Sequence, residues 1–398
     1  MRLLFVADGR SPITLSWLRH WIERGDEIHL VSTFPCDPPP GLASFHVLPV
    51  AFGALGGGQA TSTSLTPKGG LVGRFRGLLR PFRYTLGPVS LLAYRRRFRA
   101  LAALLRPDLI HTLRIPFEGM LASSAPGEAP LIVSTWGNDI TLHAHGSPLM
   151  KWLTRRTLRR AQGLMADTRR DIRLGREWGF SADKPTLVVP GAGGIRLDEM
   201  RRAAAEAGPL PDLPADAPLI VNPRGWRPGS VRNDTFFRAI PLVVQKNPQA
   251  CFVCPPLAGD PEAMRWVASL GIEVSVRLWP RLSQPQLWKL FQRAQVFVSP
   301  SAHDGTPNSL LESMACGCFP VTGDIESMRE WITPGVNGFL VNPADPQALA
   351  EAILAALGDA DLRARAARQN ALILAERADY QRCMAQAEEF YENVVRGT

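Results

Sequence analysis

Short, unbroken runs of Val, Ile, Leu and Phe recur along the chain, and between them apolar positions return every three or four residues. The runs at 3–7, 29–32, 45–50, 108–111, 131–135, 163–166 and 187–189 do not alternate apolar with polar. That predicts strands buried on both faces, as in parallel sheets. The same rhythm returns at 219–222, 250–253, 273–278, 295–299 and 319–322. Strands separated by helices predict an α/β chain built on doubly wound sheets. Local signals agree at the first turn: Asp8, Gly9 and Arg10 follow the first strand, Ser11 stands as N-cap, Pro12 as first helical residue, and Gly25 stops a helix over 13–24. Gly9 leaves room for backbone to approach a ligand phosphate, although no G-x-G-x-x-G follows, which counts against a dinucleotide cofactor. A last helix over 380–395 sets Met384, Ala387, Tyr391 and Val394 on one face.

A length of 398 residues fits two domains. An Ala- and Pro-rich stretch over 203–218 marks a linker, and the Gly-, Ser- and Thr-rich stretch 51–73 reads as a mobile loop. The apolar run before Asp8 is too short for a signal peptide. No run approaches the roughly 18 residues that span a bilayer. Six cysteines are scattered through the chain. Cys251-x2-Cys254 and Cys316-x-Cys318 fall on apolar segments, so buried thiols in a reducing cytoplasm are expected rather than zinc. Charge refines the picture. The net charge is +9, yet residues 38–107 hold ten Lys and Arg and no acid, which leaves the remainder at −1. Within that window, Leu91, Leu92, Tyr94, Phe98, Leu101 and Leu105 form a helical face with Arg95, Arg96, Arg97 and Arg99 around it. One reading is a core-facing helix with a solvated arginine face. The other is an anionic membrane surface bound through segment 68–99, where Phe75, Leu78, Leu79 and Phe82 interleave with cations, placing the protein on the inner face of the membrane. Nucleic acid is not expected as a partner, because no recognition helix or stacking sheet accompanies the charge.

The chemistry concentrates in residues 296–330. A strand over 296–299 leads into the loop 300–306, Pro307 opens a helix over 308–315, and Gly317 caps its end. Asp304 therefore lies at the carboxyl end of a strand, and Glu312 eight residues later on the helix that the loop opens. Ligands bind at that edge of an open α/β sheet, and amides around Thr306, Pro307, Asn308 and Ser309 face any anion placed there. Acids for hydroxyls beside amides for phosphate suit a ligand with both groups.

This stretch resembles the acid-x7-acid signature of retaining GT-B glycosyltransferases of the family-4 type, with their G-x-P helix start in Gly305-Thr306-Pro307 and their NG-x-L tail in Asn337-Gly338-Phe339-Leu340. Here the first acid is Asp304 instead of glutamate, and Glu326-Ser327 replaces a Gly-Gly pair, with Glu330 at the place of the family's following glutamate. The resemblance implies two Rossmann-like domains facing a cleft: 1–205 on the acceptor side, completed by 380–398 crossing back, and 218–379 on the donor side. Residues 190–195 stand at the family's hinge. It further implies Glu312 on ribose hydroxyls, Asp304 on the donor sugar, and the amides of Gly305, Thr306, Asn308 and Ser309 on sugar and phosphate. Arg224 matches the family's diphosphate arginine. The partner lysine is missing, and Arg232 is its substitute, with Arg227 as the alternative. Trp279 stacks on the base or closes the core. Asp139, in a WG-x-D loop, is an acceptor-side or catalytic-support residue, or else caps its own turn. The activity implied is that of a metal-independent hexosyltransferase in polysaccharide biosynthesis, without cofactor, moving a sugar from a UDP- or GDP-sugar to a hydroxyl of a glycan or lipid-linked acceptor. The D-x-D triplet Asp359-Ala360-Asp361 lies between helices and reads as a capping turn, not a metal site. The alternatives are a GT-B epimerase of sugar nucleotides and a non-catalytic protein binding sugar nucleotides or polyanions.

Overall fold

The computed structural model describes residues 1–50, 84–85, 87–127, 129–211 and 213–397. The expected loop at 51–73 and the start of the basic segment, with Lys68, lie outside those residues. The chain divides into two compact units. Unit 1 holds the described residues up to Gly194 together with those from Tyr380 on, and unit 2 holds Ile195–Asp379.

Unit 1 is built from β1 (Arg2–Ala7), α1 (Pro12–Glu23), β2 (Glu27–Ser32), β3 (Ser44–Val47), α2 (Gly87–Leu105), β4 (Leu109–Thr112), β5 (Leu131–Thr135), α3 (Pro148–Arg160), β6 (Gly163–Ala166), α4 (Arg169–Glu177) and β7 (Thr186–Val188). Its sheet has the order β3-β2-β1-β4-β5-β6-β7 and every pairing is parallel. All seven expected strands are present. β1 is buried from Leu3 to Ala7, which is why its sequence shows no polar alternation. Ser11 does stand at the N-cap of α1 with Pro12 first in the helix, but its side chain makes no capping bond. In α2, Leu91 and Phe98 are buried, while Leu92 is 68% exposed and does not share their face. Three and four residue steps carry 91 to 94 to 98, and 92 falls a quarter-turn outside that stripe.

The terminal helix Tyr380–Arg396 belongs to unit 1 and buries Met384, Ala387, Tyr391 and Val394, the face expected of it. Tyr391 stacks on Trp21 at 4.2 Å between ring centroids, and its hydroxyl bonds His111 Nδ1, whose other nitrogen bonds Ser134 Oγ at 2.8 Å. Burial pushes the His111 imidazole down to about 3, so the ring is neutral and relays hydrogen bonds between helix and sheet.

Unit 2 holds α5 (Leu197–Glu206), β8 (Leu219–Val221), α6 (Asn233–Lys246), β9 (Cys251–Cys254), α7 (Pro261–Leu270), β10 (Val276–Leu278), α8 (Gln284–Arg293), β11 (Val296–Ser299), α9 (Asn308–Ala315), β12 (Phe319–Gly323), α10 (Glu326–Arg329), β13 (Phe339–Val341), α11 (Pro346–Gly358) and α12 (Ala360–Arg377). The order β10-β9-β8-β11-β12-β13 is again parallel. Both sheets thus reverse direction between their first and fourth strands, the switch point where doubly wound sheets bind ligands. β13 is a strand that the apolar runs did not predict, because only three residues pair. Residues 195–205 pack with unit 2, not unit 1. Met200 and Leu197 of α5 enter its core, and Lys289 Nζ donates to Ala207 O at 2.9 Å. The boundary therefore falls at 194/195, inside the expected hinge, and not at the Ala- and Pro-rich stretch. Asp359 caps α12 by accepting from Leu362 N at 2.7 Å, as the capping reading of the D-x-D triplet expected.

Candidate functional site

At the switch point of unit 2, β8 and β11 lie side by side and both deliver chemistry to their carboxyl ends. β8 runs into Asn222 and Arg224, and β11 into Ser301 and Asp304. The Arg224 guanidinium pairs with Asp304 Oδ2, and its Nη1 reaches Ser309 Oγ at 3.3 Å at the start of α9. Asp304 also accepts from Ser301 Oγ at 3.2 Å and from Gly305 N at 3.1 Å. Arg224 is buried, and its Nε has no hydrogen-bond partner among the described residues.

The loop after β8 is pinned in place. Ala302 N and His303 N both donate to Ser230 O, at 2.8 and 3.2 Å, and Arg232 N donates to Pro300 O at 3.0 Å. Gly225, at φ 63°, lets the chain turn back after Arg224. Arg232 spends its guanidinium on Asp234, at 2.9 and 2.8 Å. Arg227 instead stands in the field of Arg224, Asp304 and Arg281. The positive charge of Arg224 is the main cause that brings it down to about 10, although the Arg227 side chain is exposed. Of the two alternatives for the missing lysine, Arg227 stands in the electrostatic field of Arg224 while Arg232 is held by Asp234. Asn233 does not cap α6, since Arg232 occupies the N-cap and Asn233 Nδ2 donates to Gly225 O at 3.1 Å.

Pro307 is the N-cap of α9, one position earlier than expected. Helix geometry leaves the amides of Asn308 and Ser309 without intrahelical acceptors. Thr306 Oγ1 accepts from Trp331 Nε1 at 2.8 Å, and Ser327 Oγ donates to Asp304 O at 2.8 Å. That bond gives the Ser327 departure a structural use: it ties α10 to the Asp304 loop. Glu330 closes α10 half-buried, and its carbonyl accepts from Arg377 Nη1 at 2.6 Å. Glu312 is buried on α9, where Gln284 Nε2 donates to its Oε1 at 2.8 Å. Burial pushes Glu312 up to about 7, against the pull of Gln284. Trp279, 6% exposed, belongs to the apolar core under the sheet, which favours the core reading.

Of the expected residues of unit 1, Gly9 follows β1 at that unit's switch point and Asp139 follows β5, the strand beside β4. The Gly9 amide is taken by Ser32 Oγ at 3.1 Å, and a Cβ there would meet Cys36 Sγ at 2.7 Å, so the glycine serves close packing. Asp139 does not cap the helical turn 140–143 that follows it. Its carboxylate is fully buried and accepts from Arg114 Nη2 at 2.7 Å, Ile115 N at 3.0 Å and Trp136 N at 3.3 Å. Arg114 and Glu118, which sequence reasoning passed over, complete this group. Burial pushes Glu118 up to about 7 although Arg114 and a 2.9 Å bond from Thr33 Oγ1 favour its charge. An acid within the apolar stretch IPFEGML was the one available signal. Among the described residues no group of three or more His, Cys, Asp and Glu is placed to hold a metal ion. No described helix is long and apolar enough to cross a membrane.

The family model for glycosyl transferases group 1 matches residues 228–359, and that for a glycosyl transferase 4-like domain matches 9–191. Among curated relatives, D-inositol 3-phosphate glycosyltransferase of Thermobispora bispora is 30% identical over 224 residues, covering 54% of this chain and 51% of its own. GDP-mannose:cellobiosyl-diphosphopolyprenol alpha-mannosyltransferase of Xanthomonas campestris is 36% identical over 101 residues, 25% of this chain and 27% of its own. The chain thus spans about half the length, or less, of these relatives. Anabaena HepE in complex with UDP superposes with a TM-score of 0.66 at 16% identity, over 99% of this chain and 100% of that one. Sucrose-phosphate synthase of Thermosynechococcus elongatus gives 0.73 at 16% identity over 100% of both. These structures share the GT-B fold of this chain, and the two family models, one on each unit, assign the chain to the glycosyl transferases group 1, family-4 type.

Proposed function

We propose that the chain transfers a hexosyl group, with retention, from a UDP- or GDP-sugar to a hydroxyl of a glycan or lipid-linked acceptor. The observation that carries this reading is the Arg224–Asp304–Ser309 constellation at the switch point of unit 2. Arg224 and Arg227, with the free amides at the start of α9, meet the diphosphate. Glu312 takes the ribose hydroxyls and Asp304 those of the sugar. The anomeric C–O bond to phosphate breaks and its electron pair goes to the leaving diphosphate. The acceptor oxygen bonds to carbon from the same face and its proton passes to the departing phosphate oxygen. Fixed positive groups aimed at the developing charge supply the main stabilisation. Arginines and amides do this without a metal, so activity is expected to persist in EDTA. The names of the relatives, which speak of inositol 3-phosphate and of a diphosphopolyprenol, support a hydroxyl acceptor. The test is thermal unfolding with UDP, GDP and their sugars, for wild type and Glu312→Ala. A ligand at about 100 times its dissociation constant adds about 2.7 kcal/mol. One nucleotide should stabilise the wild type alone. If none does so in a folded protein, the donor reading fails and a non-catalytic role replaces it. The anomeric configuration of the product, read by NMR, tests retention.

The partner set extends to an anionic membrane on the cytoplasmic side. α2 and α3 contain no acidic residue, and both expose apolar side chains among their cations: Val89 and Leu92 on α2, Leu149 and Trp152 on α3. The helix starts adjoin, since Ser147 Oγ donates to Tyr84 O at 2.7 Å.

A further inference from the structure

We propose that Gln284 is a positioning residue of the nucleotide site: its amide holds the Glu312 carboxylate in place for the ribose hydroxyls, and does so without an ion pair. The proposal rests on the transferase reading, which gives Glu312 that role, and deepens it by naming the residue that governs the acid.

Two helices of unit 2 set the contact. Gln284 Nε2 donates to Glu312 Oε1 at 2.8 Å, and four residues further along both helices Cys316 Sγ meets the Trp288 carbonyl at 3.6 Å. Residues four apart share a face of a helix, so these two rungs, one turn apart, fix α8 in register beside α9. The start of α8 is fixed independently of Glu312. Ser283 and Gln286 close a capping box there, with Ser283 N on Gln286 Oε1 at 3.2 Å and Gln286 N on Ser283 Oγ at 3.4 Å. Lys289 Nζ and Gln286 Nε2 then donate to Ala207 O and Pro209 O, at 2.9 and 3.4 Å, which ties α8 to the segment after α5. Gln284 thus reaches the acid from a helix that is already held.

The choice of an amide has a chemical consequence. Glu312 is 7% exposed, and an acid is rarely so buried without a cation beside it. Burial opposes its charge, Gln284 and then the Trp288 indole favour it, and among the described residues no cation does. Its neighbour one turn on, Cys316, adds no charge, because burial and then Glu312 itself push that thiol up to about 12. A lysine or arginine at 284 would close an ion pair, and removing one partner of a buried pair is costly. The amide instead fills one acceptor position and leaves the others on the carboxylate for hydroxyls. When the acid takes up a proton, the same amide can turn its oxygen to accept from it, since its two ends are a donor and an acceptor. Gln284 is exposed, so replacing it opens no cavity.

The test is nucleotide affinity from pH 6 to 9, measured by calorimetry with whichever of UDP and GDP stabilises the wild type. Wild type, Gln284→Met and Gln284→Glu are compared. Loss of one bond to a charged acceptor should move the rise in affinity up by about one pH unit in Gln284→Met, which is about a tenfold loss at pH 6. At pH 9, where the acid is charged in both proteins, the loss should close to within about twofold. In Gln284→Glu a like charge beside the acid should move the rise at least as far. Affinity lowered by one factor at every pH would make Gln284 a packing residue, and an unchanged profile would leave it no role; either result overturns the proposal. If neither nucleotide binds, the donor reading falls, and a second measurement decides the role of Gln284. In denaturant unfolding of the ligand-free protein, the part of the pH dependence that Glu312→Gln removes should end near pH 7 in the wild type, and about one unit higher in Gln284→Met. The same end point in both would show that Gln284 does not govern the acid.

Discussion

Two buried glutamates, one in each unit, lower stability as pH rises, against the opposite contribution of the buried His111. Glu312 and Glu118 are each pushed up to about 7 by burial, from an ordinary value of 4.5. Between those values the folded chain holds protons that the unfolded chain has released, so stability falls as pH rises, by about 1.4 kcal/mol per pH unit for each group. Denaturant unfolding of the ligand-free protein should show this loss between pH 5 and 7, offset below pH 6.5 by the buried neutral His111, which gains stability as the imidazole of the unfolded chain gives up its proton. Glu312→Gln and Glu118→Gln should each flatten part of the slope; a slope unchanged in both variants would remove these acids as its origin. Nucleotide binding should run the other way. On the proposed reading ribose hydroxyls would donate to the ionised carboxylate, so UDP or GDP affinity should rise from pH 6 to 8 in the wild type and stay level in Glu312→Gln. This part of the site was legible in sequence, because Asp304 and Glu312 sit at fixed positions on a strand end and a helix. Arg227 and Arg232 were not separable that way. They are five residues apart on one loop, and which of them joins Arg224 depends on the turn at Gly225 and on Asp234 capturing Arg232. Arg114 and Glu118 were missed for a related reason: their partners Asp139 and Thr33 come from other strands, and no spacing along the chain announces them.

Elements were more legible than side chains. Strands buried on both faces write themselves as unbroken apolar runs, and twelve of the thirteen were expected on that basis. The exception, β13, pairs only Phe339, Leu340 and Val341 with β12. The unit boundary was misplaced because composition marks flexible-looking stretches, whereas a boundary is decided by which core a helix joins, and Leu197 and Met200 of α5 join that of unit 2. Two elements carry tests. Gly323 ends β12, and an ideal Cβ there would lie 2.1 Å from the carbonyl oxygen of Ser301, the residue that bonds Asp304. Gly323→Ala must shift that backbone, at a cost of about 1–3 kcal/mol, and should lose nucleotide stabilisation while the protein still folds. Retained nucleotide binding would show that the Asp304 loop tolerates the shift. In unit 1, Tyr391→Phe leaves His111 Nδ1 buried without its partner. A loss of about 1–3 kcal/mol is expected in equilibrium unfolding, and Tyr391→Ala should cost more, about 3–5 kcal/mol, because it also opens a cavity against Trp21.

At the scale of the whole molecule the charge is divided. Residues 38–107 carry ten cations and no acid, and everything else sums to −1. α3 adds Lys151, Arg155, Arg156, Arg159 and Arg160 without an acid of its own, beside the exposed Trp152. Acids elsewhere in the sequence balance α3 in number but not on its surface. Such a face should bind vesicles of anionic lipid, each cation near the surface adding about 1 kcal/mol, and release them as salt shortens the screening length from about 10 Å at 0.1 M to about 3 Å at 1 M. Flotation with vesicles of phosphatidylserine and phosphatidylcholine, against phosphatidylcholine alone, measures this. Trp152→Ser should weaken binding at every salt concentration, because it removes buried apolar area. Arg155→Gln with Arg156→Gln should weaken it chiefly at low salt. Nucleotide stabilisation, read on the same samples, provides the contrast: its arginines Arg224 and Arg227 sit at a fixed site on unit 2, so neither change on α3 should alter it. Equal binding to neutral and anionic vesicles, or salt-insensitive binding, would show that this charge serves solubility alone.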